Sequence, residues 1–504
     1  MNKIVQSRRA FLRAGAAVGT ASLSLSFPHI ALAQNAAPAV HTGNRNLEAL
    51  ARSFKGRIIQ PGEAGYSVAA LPNNMRWSDV KPAVIAQCEN ENDVRLALDW
   101  ARGTRTHFAV RSGGHNYAGF STTHGMLINV RPMNAIRLNT KDGTVTIGAG
   151  ANNQDMADAM RGTNWSVPSG RCPTVGFSGL VLGGGWGFAA THSGLTCDSL
   201  LASDVILPNG KTVTTSSDGE FRELFWGLCG GGGGNFGINT SFTFRLHEVH
   251  NVTIFNMAWA AQKLPEIWMM LQKLQLEYPT QISTRIAINA NSVQPNLSLS
   301  NLKITLLGQY FGPEAQLNAI LQPVIQFARP ERQDIREMSY WQARDYLITD
   351  DPHGKYDLRS NYIENYLSEE GIDTMFKWQA RWPGSSIPPT GLALQLAMGG
   401  KVKDRAASDT AYVHRNANFA FSVKTEWSAT DSKDQIERQL DWLTGYYEEM
   451  QKYLLPQCYV NFPSEGVSSP VEKYYGTNLQ RLKNIKREVD PENIFNFSQS
   501  IPLV

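Results

Sequence analysis

Two nucleophilic side chains of this 504-residue chain lie inside glycine-rich segments. His115 belongs to the segment VRSGGHNYAG, and Cys172 belongs to GRCPTVGFSG. Imidazole and thiolate are natural nucleophiles toward an electrophilic carbon, and glycine allows backbone amides to come close to a phosphate or a ring. Two more glycine runs, at 183–187 and 230–237, offer further amides of this kind. Taken together, the four segments indicate a binding site for a dinucleotide.

Each of these features also has an ordinary explanation when it is taken alone. A single loop histidine is more often a hydrogen-bonding residue, a single buried cysteine is more often inert, and a single glycine run is more often a turn. A Rossmann site requires GxGxxG after a strand, with an acidic residue about 20 positions later. The run that starts at Gly185 provides only GxGxxA, which disfavours a nicotinamide-dependent dehydrogenase.

The cysteines and histidines do not predict a metal site. The chain has five cysteines but no CxxC, and His107, His115 and His124 do not have the i, i+4 spacing of helical zinc ligands. Because the number of cysteines is odd, at least one of them is not part of an intramolecular disulfide. Apart from Cys172, the sequence leaves the pairing open for Cys88, Cys197, Cys229 and Cys458.

The elements that must position these residues form two regions. In the first, up to about residue 246, short apolar runs alternate with turns, and Asn92-Asp93 can cap a helix. Its predicted strands are at 82–88, 107–111, 126–130, 135–139 and 144–149. In the second region glycine becomes rarer, with predicted helices at 264–278 and 433–453 and strands at 283–290, 302–310, 392–398 and 419–427. The pattern predicts an α+β protein with a distinct second domain.

Composition excludes several classes of protein. Hydrophobic residues make up 42% and charged residues 18%, which fits neither long disorder nor a polytopic membrane protein. The formal charge is +3, but the first 33 residues hold four basic residues and no acidic one. Without them, 43 basic residues face 44 acidic ones, so the formal charge is −1. We therefore expect no nucleic-acid partner.

The N-terminus predicts an export signal. Arg8-Arg9 is followed by Phe-Leu and a mildly apolar run, which ends in the small-x-small cleavage pattern Ala31-Leu32-Ala33. The run contains glycine, serine, proline and histidine, which disfavours a transmembrane anchor of about 20 apolar residues. The arginine pair resembles a twin-arginine signal, whose export machinery carries folded proteins. We expect a periplasmic or secreted protein without an integral membrane span after removal of the signal.

Several motifs occur in the same order along this chain as in one known family. They are the two segments around His115 and Cys172, GLVLGGGWG at 179–187, GLTCD at 194–198, the glycine run with its continuation to residue 241, and YYGTNLQRL with DPENIF near the C-terminus. This set resembles the berberine bridge enzyme-like branch of the FAD-linked oxidases, which have the vanillyl-alcohol-oxidase fold. The resemblance covers most of the chain after the predicted signal.

The resemblance implies a fold and a division of the chain. The fold is α+β, with a PCMH-type FAD-binding domain of two α/β subdomains and a second α+β substrate-binding domain of antiparallel sheet plus helices. The implied parts are the signal at 1–33, a linker at 34–46, the FAD-binding domain at 47–250, the substrate-binding domain at 251–463 and a C-terminal berberine-bridge-type segment that completes the FAD domain at 464–504.

The resemblance also implies how FAD is held. In the family, the histidine that matches His115 is joined to the flavin 8α-methyl carbon and the cysteine that matches Cys172 to C6, so the FAD is bicovalent. Val175 resembles the small residue that leaves O₂ a path to the flavin. The other implied cofactor-binding residues are Arg111, Ser112, Gly113, Gly114, Asn116, Gly176, Ser178, Gly179, Gly237, Ile238, Asn493 and Phe495.

The catalytic base departs from the family pattern. Many relatives carry Tyr-x-Asn-Tyr, whose second tyrosine assists deprotonation, but this chain has Tyr459-Val460-Asn461-Phe462, and phenylalanine cannot take a proton. An amine or a phenol, which loses its proton more readily than an alcohol, would fit this change. The remaining candidates are Tyr117, Tyr459, Ser422, Lys424 and Glu426, each of which can equally be an ordinary structural residue.

We therefore expect an exported oxidase with bicovalent FAD. A hydride would pass from a C–H bond of an alcohol, sugar, amine or phenolic metabolite to flavin N5, and O₂ would then be reduced to H₂O₂. The alternative is a flavin-bearing binding or resistance protein that sequesters or quenches a metabolite with little turnover, because Phe462 stands where a base is usual.

Overall fold

The computed structural model describes residues 44–260, 263–348 and 353–503. The predicted twin-arginine signal and most of the predicted linker lie outside these ranges. Within the described ranges, no helix has the length and apolar character needed to cross a membrane.

Eleven strands in the first half of the described chain form three sheets. They are β1 (Arg57–Ile59), β2 (Val84–Gln87), β3 (Phe108–Arg111), β4 (Met126–Asn129), β5 (Ile136–Asn139), β6 (Thr144–Gly148), β7 (Trp165–Ser166), β8 (Leu200–Ile206), β9 (Thr212–Ser216), β10 (Ile238–Arg245) and β11 (His247–Glu248). The sheet orders are β1-β2-β4-β3, β5-β6-β10-β8-β9 and β11-β7.

These sheets bring two of the glycine-rich segments to strand ends. In the first sheet, β2, β4 and β3 are parallel, so β3 ends at Arg111 directly before Ser112-Gly113-Gly114. Carboxyl ends of parallel strands are the usual edge for ligand sites. In the second sheet, all neighbours are antiparallel, and β10 begins directly after the glycine run at 230–237.

Seven short or medium helices accompany these strands. They are α1 (Asn44–Ser53), α2 (Tyr66–Ala70), α3 (Glu91–Thr104), α4 (Asn153–Met160), α5 (Phe177–Leu182), α6 (Ala190–Ser193) and α7 (Arg222–Leu228). The crossover helix α3 begins earlier than predicted. Its cap is Asn90, whose side chain accepts from the backbone N–H of Asp93, whereas Asn92 and Asp93 lie inside the helix.

The second half of the chain contributes one antiparallel sheet of seven strands. These are β12 (Val252–Ala260), β13 (Ile282–Ala290), β14 (Leu302–Tyr310), β15 (Arg332–Met338), β16 (Lys355–Ile363), β17 (Ala393–Ala397) and β18 (Phe419–Trp427). Their order is β15-β12-β14-β13-β17-β18-β16. Alternate residues of an antiparallel strand point to opposite faces, so this sheet presents one face to helices and the other to the glycine-rich segments.

Helices complete both halves of the molecule. They are α8 (Leu264–Glu277), α9 (Glu314–Phe327), α10 (Tyr340–Leu347), α11 (Glu369–Ala380), α12 (Lys433–Met450), α13 (Pro470–Tyr475) and α14 (Leu479–Val489). Helix α12 packs on one face of the seven-stranded sheet, where Thr425 donates to Gln439. Helix α14 packs against α7, so the chain returns to the first half after the sheet. The α+β architecture predicted from the sequence is confirmed.

Candidate functional site

One cavity of about 510 Å³ lies between the glycine-rich segments, the seven-stranded sheet and the C-terminal segment. The first two walls come from loops after β3 and before α5, which carry His115 and Cys172. A third wall is the sheet, and the fourth is the segment after α14, from Ile494 to Gln499. Segments that are hundreds of residues apart in sequence therefore surround one space.

Two glycines allow the His115 and Cys172 loops to touch. A Cβ atom on Gly113 would overlap the backbone of Gly176, and one on Gly176 would overlap Gly113 and Ser112. The next residue, Gly114, has a φ of 76°, which an L-residue with a side chain rarely adopts. Glycine at these positions is therefore required by close approach and by backbone geometry.

Helix α4 holds the loop that carries Cys172. The backbone N–H groups of Asn153 and Gln154, which have no partner within a helix, donate to the carbonyl oxygens of Val175 and Pro173 at 3.1 and 3.0 Å. The Asn153 side chain donates to the Cys172 carbonyl at 2.9 Å. The start of a regular helix thus fixes the backbone around the thiol.

The two predicted attachment residues lie in the same part of the cavity. Both line it, and His115 Nε2 is 2.8 Å from the hydroxyl of Thr174, two residues after Cys172. Four other cysteines, Cys88, Cys197, Cys229 and Cys458, are buried thiols that form no disulfide among the described residues. Burial raises the pKa of all four, so they are poor nucleophiles, and Cys172 is the thiol with access to the cavity.

A buried ion pair holds the C-terminal wall. Lys486 Nζ lies 2.6 Å from Asp490 Oδ2, with both side chains fully buried, and it also donates to the carbonyl oxygens of Asn235 and Phe495. Asp490 in turn accepts from the backbone N–H groups of Ile494 and Phe495. The pair therefore ties the segment after α14 to the glycine run before β10.

Most of the predicted cofactor-binding residues line the cavity. They are Ser112, Gly113, Gly114, His115, Asn116, Cys172, Val175, Gly176, Ser178, Gly179, Gly237, Ile238 and Phe495. Arg111 and Asn493 do not line it. The Arg111 guanidinium is buried and donates to the carbonyl oxygens of Ala69, Leu71 and Ser121, so it supports the loop from behind. Asn493 has a φ of 52° and forms the turn that leads into Ile494.

Three of the five candidate bases lie outside the cavity. Ser422 is 2% exposed, and its hydroxyl has no hydrogen-bond partner. It pairs across the sheet with Ser360, whose hydroxyl accepts from the backbone N–H of Tyr459, so the segment at 459–462 covers this region. Lys424 and Glu426 form an ion pair of 2.8 Å with each other. These positions do not support a role for the three residues in proton transfer at the cofactor.

Tyr459 lines the cavity, but its hydroxyl oxygen already accepts three hydrogen bonds. The oxygen accepts from the backbone N–H groups of Gly185 and Trp186 at 3.1 and 3.2 Å and from Asn461 at 3.2 Å. Burial raises the pKa of Tyr459 to about 12. The residue anchors the glycine run at 183–187 and is poorly suited to be a base.

Tyr117 is the remaining candidate, and it stands in an aromatic group. Its ring stacks on Phe462 at a centroid distance of 5.2 Å and meets the edge of Tyr356 at 5.2 Å. All three rings line the cavity. Phe462, in place of the tyrosine that many relatives carry, thus supports the Tyr117 ring by stacking.

Comparison with known proteins supports the resemblance. The model for the FAD binding domain matches residues 82–216, and the model for berberine and berberine-like proteins matches residues 458–502. An uncharacterised FAD-linked oxidoreductase of Bacillus subtilis, YgaK, is 31% identical over 89% of this chain and 97% of its own. This chain belongs to the berberine bridge enzyme-like FAD-linked oxidoreductases.

Solved structures of 24% sequence identity share the fold of this berberine bridge enzyme-like protein. BBE-like 1 of Physcomitrella patens matches with a TM-score of 0.81 over 91% of this chain and 99% of its own. A chitooligosaccharide oxidase matches with a TM-score of 0.79 over 90% and 99%. The predicted PCMH-type FAD-binding fold is confirmed.

The described residues of this berberine bridge enzyme-like protein fit FAD. Gly179 has no atom within 4 Å of a would-be Cβ, and Gly234 has only one Phe497 ring atom at 3.6 Å, so backbone is open to the cavity at both positions. Two arginines, Arg171 and Arg285, line the cavity, and no aspartate or glutamate does so within the described ranges. Open amides and positive charge are the chemistry that a dinucleotide needs.

Sequence analysis missed Arg285 and Trp186 as site residues. Arg285 lies on β13, which was predicted as a strand at 283–290 without an assignment of its faces, and a polar residue in such a strand is typical of a solvent-exposed face. Trp186 lies within a glycine run, where its indole N–H donates to the carbonyl of Ala397 on β17. No local signal distinguishes these two residues, because both face the cavity only after the two halves of the molecule pack together.

Proposed function

We propose that this protein is an FAD-dependent oxidase whose flavin is bound covalently to both His115 and Cys172. The observation that supports the proposal is the position of these residues on touching loops at one end of a common cavity, with His115 Nε2 2.8 Å from the Thr174 hydroxyl. When bound, FAD accepts a hydride from a substrate C–H bond and passes two electrons to O₂, which yields H₂O₂.

The residues of the chain have separable tasks in this reaction. Tyr117 takes the substrate proton, because it lines the cavity two residues after His115, whereas burial raises the pKa of Tyr459 to about 12. The Lys486–Asp490 pair holds the C-terminal wall of the cavity in place through the carbonyl oxygens of Asn235 and Phe495. Val175 lines the cavity three residues after Cys172 and leaves room for O₂.

The cavity wall also supports a substrate that contains a ring. The rings of Tyr117, Tyr356 and Phe462 lie together on it, and aromatic planes stack on sugars and phenols alike. We propose an alcohol, sugar, amine or phenolic metabolite as the substrate.

Export by the twin-arginine route completes the proposal. It is supported by Arg8-Arg9 followed by Phe-Leu and by the Ala31-Leu32-Ala33 pattern. Export in the folded state suits a cofactor that is attached before the protein leaves the cytoplasm. Replacing both arginines by lysine should retain the protein in the cytoplasm with its FAD attached. Unchanged export of this variant would exclude the twin-arginine route.

The covalent attachment is tested by denaturation. Protein unfolded in acid should keep its yellow chromophore in wild type, in His115→Ala and in Cys172→Ala, because one link remains in each single variant, and should lose it in the double variant. Cys88→Ala, a buried cysteine outside the cavity, is the matched control and should keep both links. Retention of the chromophore by the double variant would refute bicovalent attachment.

Turnover is tested separately with the holoenzyme. Anaerobic addition of sugars, alcohols, amines and phenols should identify a compound that bleaches the flavin absorbance. Readmission of air should then restore the absorbance with one H₂O₂ formed per flavin. Bleaching without peroxide would indicate a dehydrogenase. The absence of bleaching by every class would favour the binding or resistance protein considered above.

A further inference from the structure

The cavity contains an arginine for which the described chain provides no acidic partner. Arg285 is on β13, its Nε is buried without a hydrogen bond, and the groups that act on its charge are Arg171 and Cys172, with no carboxylate among them. Burial lowers the pKa of Arg285 to about 9, which still leaves it charged at neutral pH. Arg285 as a whole is half-buried, but a charge that is partly withdrawn from solvent without a counter-ion is still costly, so such groups are normally paired or bind a ligand.

The position of Arg285 distinguishes it from the other buried and half-buried arginines. Arg285 pairs with Leu396 in the sheet register, and together with Leu394 and Tyr356 these residues form the wall that the seven-stranded sheet gives to the cavity. Arg285 is the one charged residue on this wall within the described ranges. By contrast, the buried Arg415 and the half-buried Arg76 have the carboxylates of Asp198 and Asp357 as partners, and the buried Arg111 donates to backbone carbonyl oxygens behind the loop.

We propose that Arg285 binds an anionic oxygen of the substrate, so that the preferred substrates carry a carboxylate or a comparable acidic group. This inference rests on the proposed function, because attachment of the flavin at Cys172 places the reacting end of the cofactor near Arg285. A planar guanidinium recognises a carboxylate through paired hydrogen bonds, and the aliphatic and aromatic side chains around it accommodate the rest of the molecule. Arg285 is thus a specificity-determining residue.

The test uses benzoate and its neutral isostere benzamide as probes of the holoenzyme. Each is titrated while the visible flavin spectrum is recorded. Wild type should bind benzoate at least about tenfold more tightly than benzamide, and Arg285→Gln should weaken benzoate binding by about 10- to 100-fold with little effect on benzamide. Arg285→Lys, which keeps the charge but loses the planar fork, should lie between them.

Arg359→Gln is the matched control, because Arg359 is a buried arginine of the same sheet that lies outside the cavity and donates to Thr444 on α12. It should bind benzoate like wild type. Equal binding of benzoate and benzamide by wild type overturns the inference even if Arg285→Gln does not fold.

Two further measurements on Arg285→Gln test whether Arg285 binds an anionic group of the flavin instead of the substrate. If Arg285→Gln loses its flavin content instead of its preference for benzoate, the anion is the FAD diphosphate. If only the reduction potential of the flavin shifts, the anion is the reduced ring. Either result overturns the inference about the substrate. Failure of the proposed function is recognised independently, because the wild-type protein would then lack acid-stable flavin.

Discussion

The carbonyl oxygens of Tyr117 and Tyr356 accept hydrogen bonds from the same side chain. The Nδ2 atom of Asn74 lies 3.1 Å from the Tyr117 oxygen and 3.0 Å from the Tyr356 oxygen, and Asn74 is fully buried. Trp77 donates its indole N–H to the Tyr117 oxygen as well, at 2.8 Å. The loop that carries His115 is therefore fixed directly to the first residues of β16, although 239 positions separate the two tyrosines.

Asn74→Asp should loosen this connection. A carboxylate has no N–H to donate and would repel both carbonyl oxygens, so we expect the free energy of unfolding to fall by about 3 kcal/mol. We also expect a smaller fraction of the flavin to be linked through His115, measured by mass spectrometry of proteolytic peptides. Cysteinyl-linked flavin should increase correspondingly.

Asn478→Asp is the matched control for that variant. Asn478 is also buried and also donates to carbonyl oxygens of a distant segment, those of Ala407, Thr410 and Ala411, but it lies outside the cavity. It should lose comparable stability and keep the wild-type ratio of flavin links. If both variants change the ratio equally, Asn74 has no specific effect on attachment.

Tyr117→Phe should mainly lower the rate of flavin reduction, whereas Tyr459→Phe should mainly lower the free energy of unfolding. We expect Tyr117→Phe to slow anaerobic flavin reduction by about 10²- to 10⁴-fold, the usual contribution of a general base. Tyr459→Phe leaves the N–H groups of Gly185 and Trp186 without their acceptor, so the free energy of unfolding should fall by about 2–4 kcal/mol. Rapid-mixing absorbance and urea unfolding measure the two effects. A loss of rate in Tyr459→Phe as large as in Tyr117→Phe would contradict the assignment.

Val175→Leu should slow the reoxidation of the flavin by O₂ without slowing its reduction by substrate. The added methylene narrows the cavity beside the Cys172 loop, so reoxidation of the reduced flavin by O₂ should slow by at least about tenfold, or about 1.4 kcal/mol of barrier. Anaerobic reduction by substrate should change little. Stopped-flow mixing with aerated buffer checks this, with Val175→Ala as the control that keeps the path open. Equal reoxidation rates in both variants would show that Val175 does not govern access of O₂.

His414 should make the protein less stable in mild acid. Burial lowers its pKa to about 4, and the ring stacks on Tyr362 while its Nε2 has no hydrogen-bond partner. Because the unfolded chain binds the proton below about pH 6.5 and the folded chain does so only near pH 4, stability falls as the pH decreases through this window. From pH 7 to pH 5 the contribution of this residue is about 2 kcal/mol.

His414→Gln removes that titration. The difference in free energy of unfolding between pH 7 and pH 5, measured with urea, should be about 2 kcal/mol smaller in the variant than in wild type. Burial also lowers the pKa values of His192 and His247, so a smaller pH dependence should persist. An unchanged difference would mean that the folded and unfolded chains protonate His414 over the same pH range.

Local patterns in the sequence were sufficient for many elements and for the attachment residues. The predicted strands at 302–310 and 419–427 match β14 and β18 residue for residue, because each is a long run of β-forming residues with clear ends. His115 and Cys172 stand out because glycines surround them, and the turns that need glycine are local structures. The cap of α3 was misplaced because Asn90, Asn92 and Asp93 are all good caps, and only the Asn90 side chain is in position to accept.

The remaining assignments depended on contacts between distant segments. Tyr459, Ser422, Lys424 and Glu426 have the residue types of a base, but packing decides that the Tyr459 hydroxyl is held by the glycine run and that the other three lie outside the cavity. Arg285 lies in the predicted strand at 283–290, and only the packing of the FAD-binding half against that face of the sheet makes it a half-buried charge on the cavity wall. Residue type and spacing are properties of a short segment, whereas burial and partners are set by the whole fold.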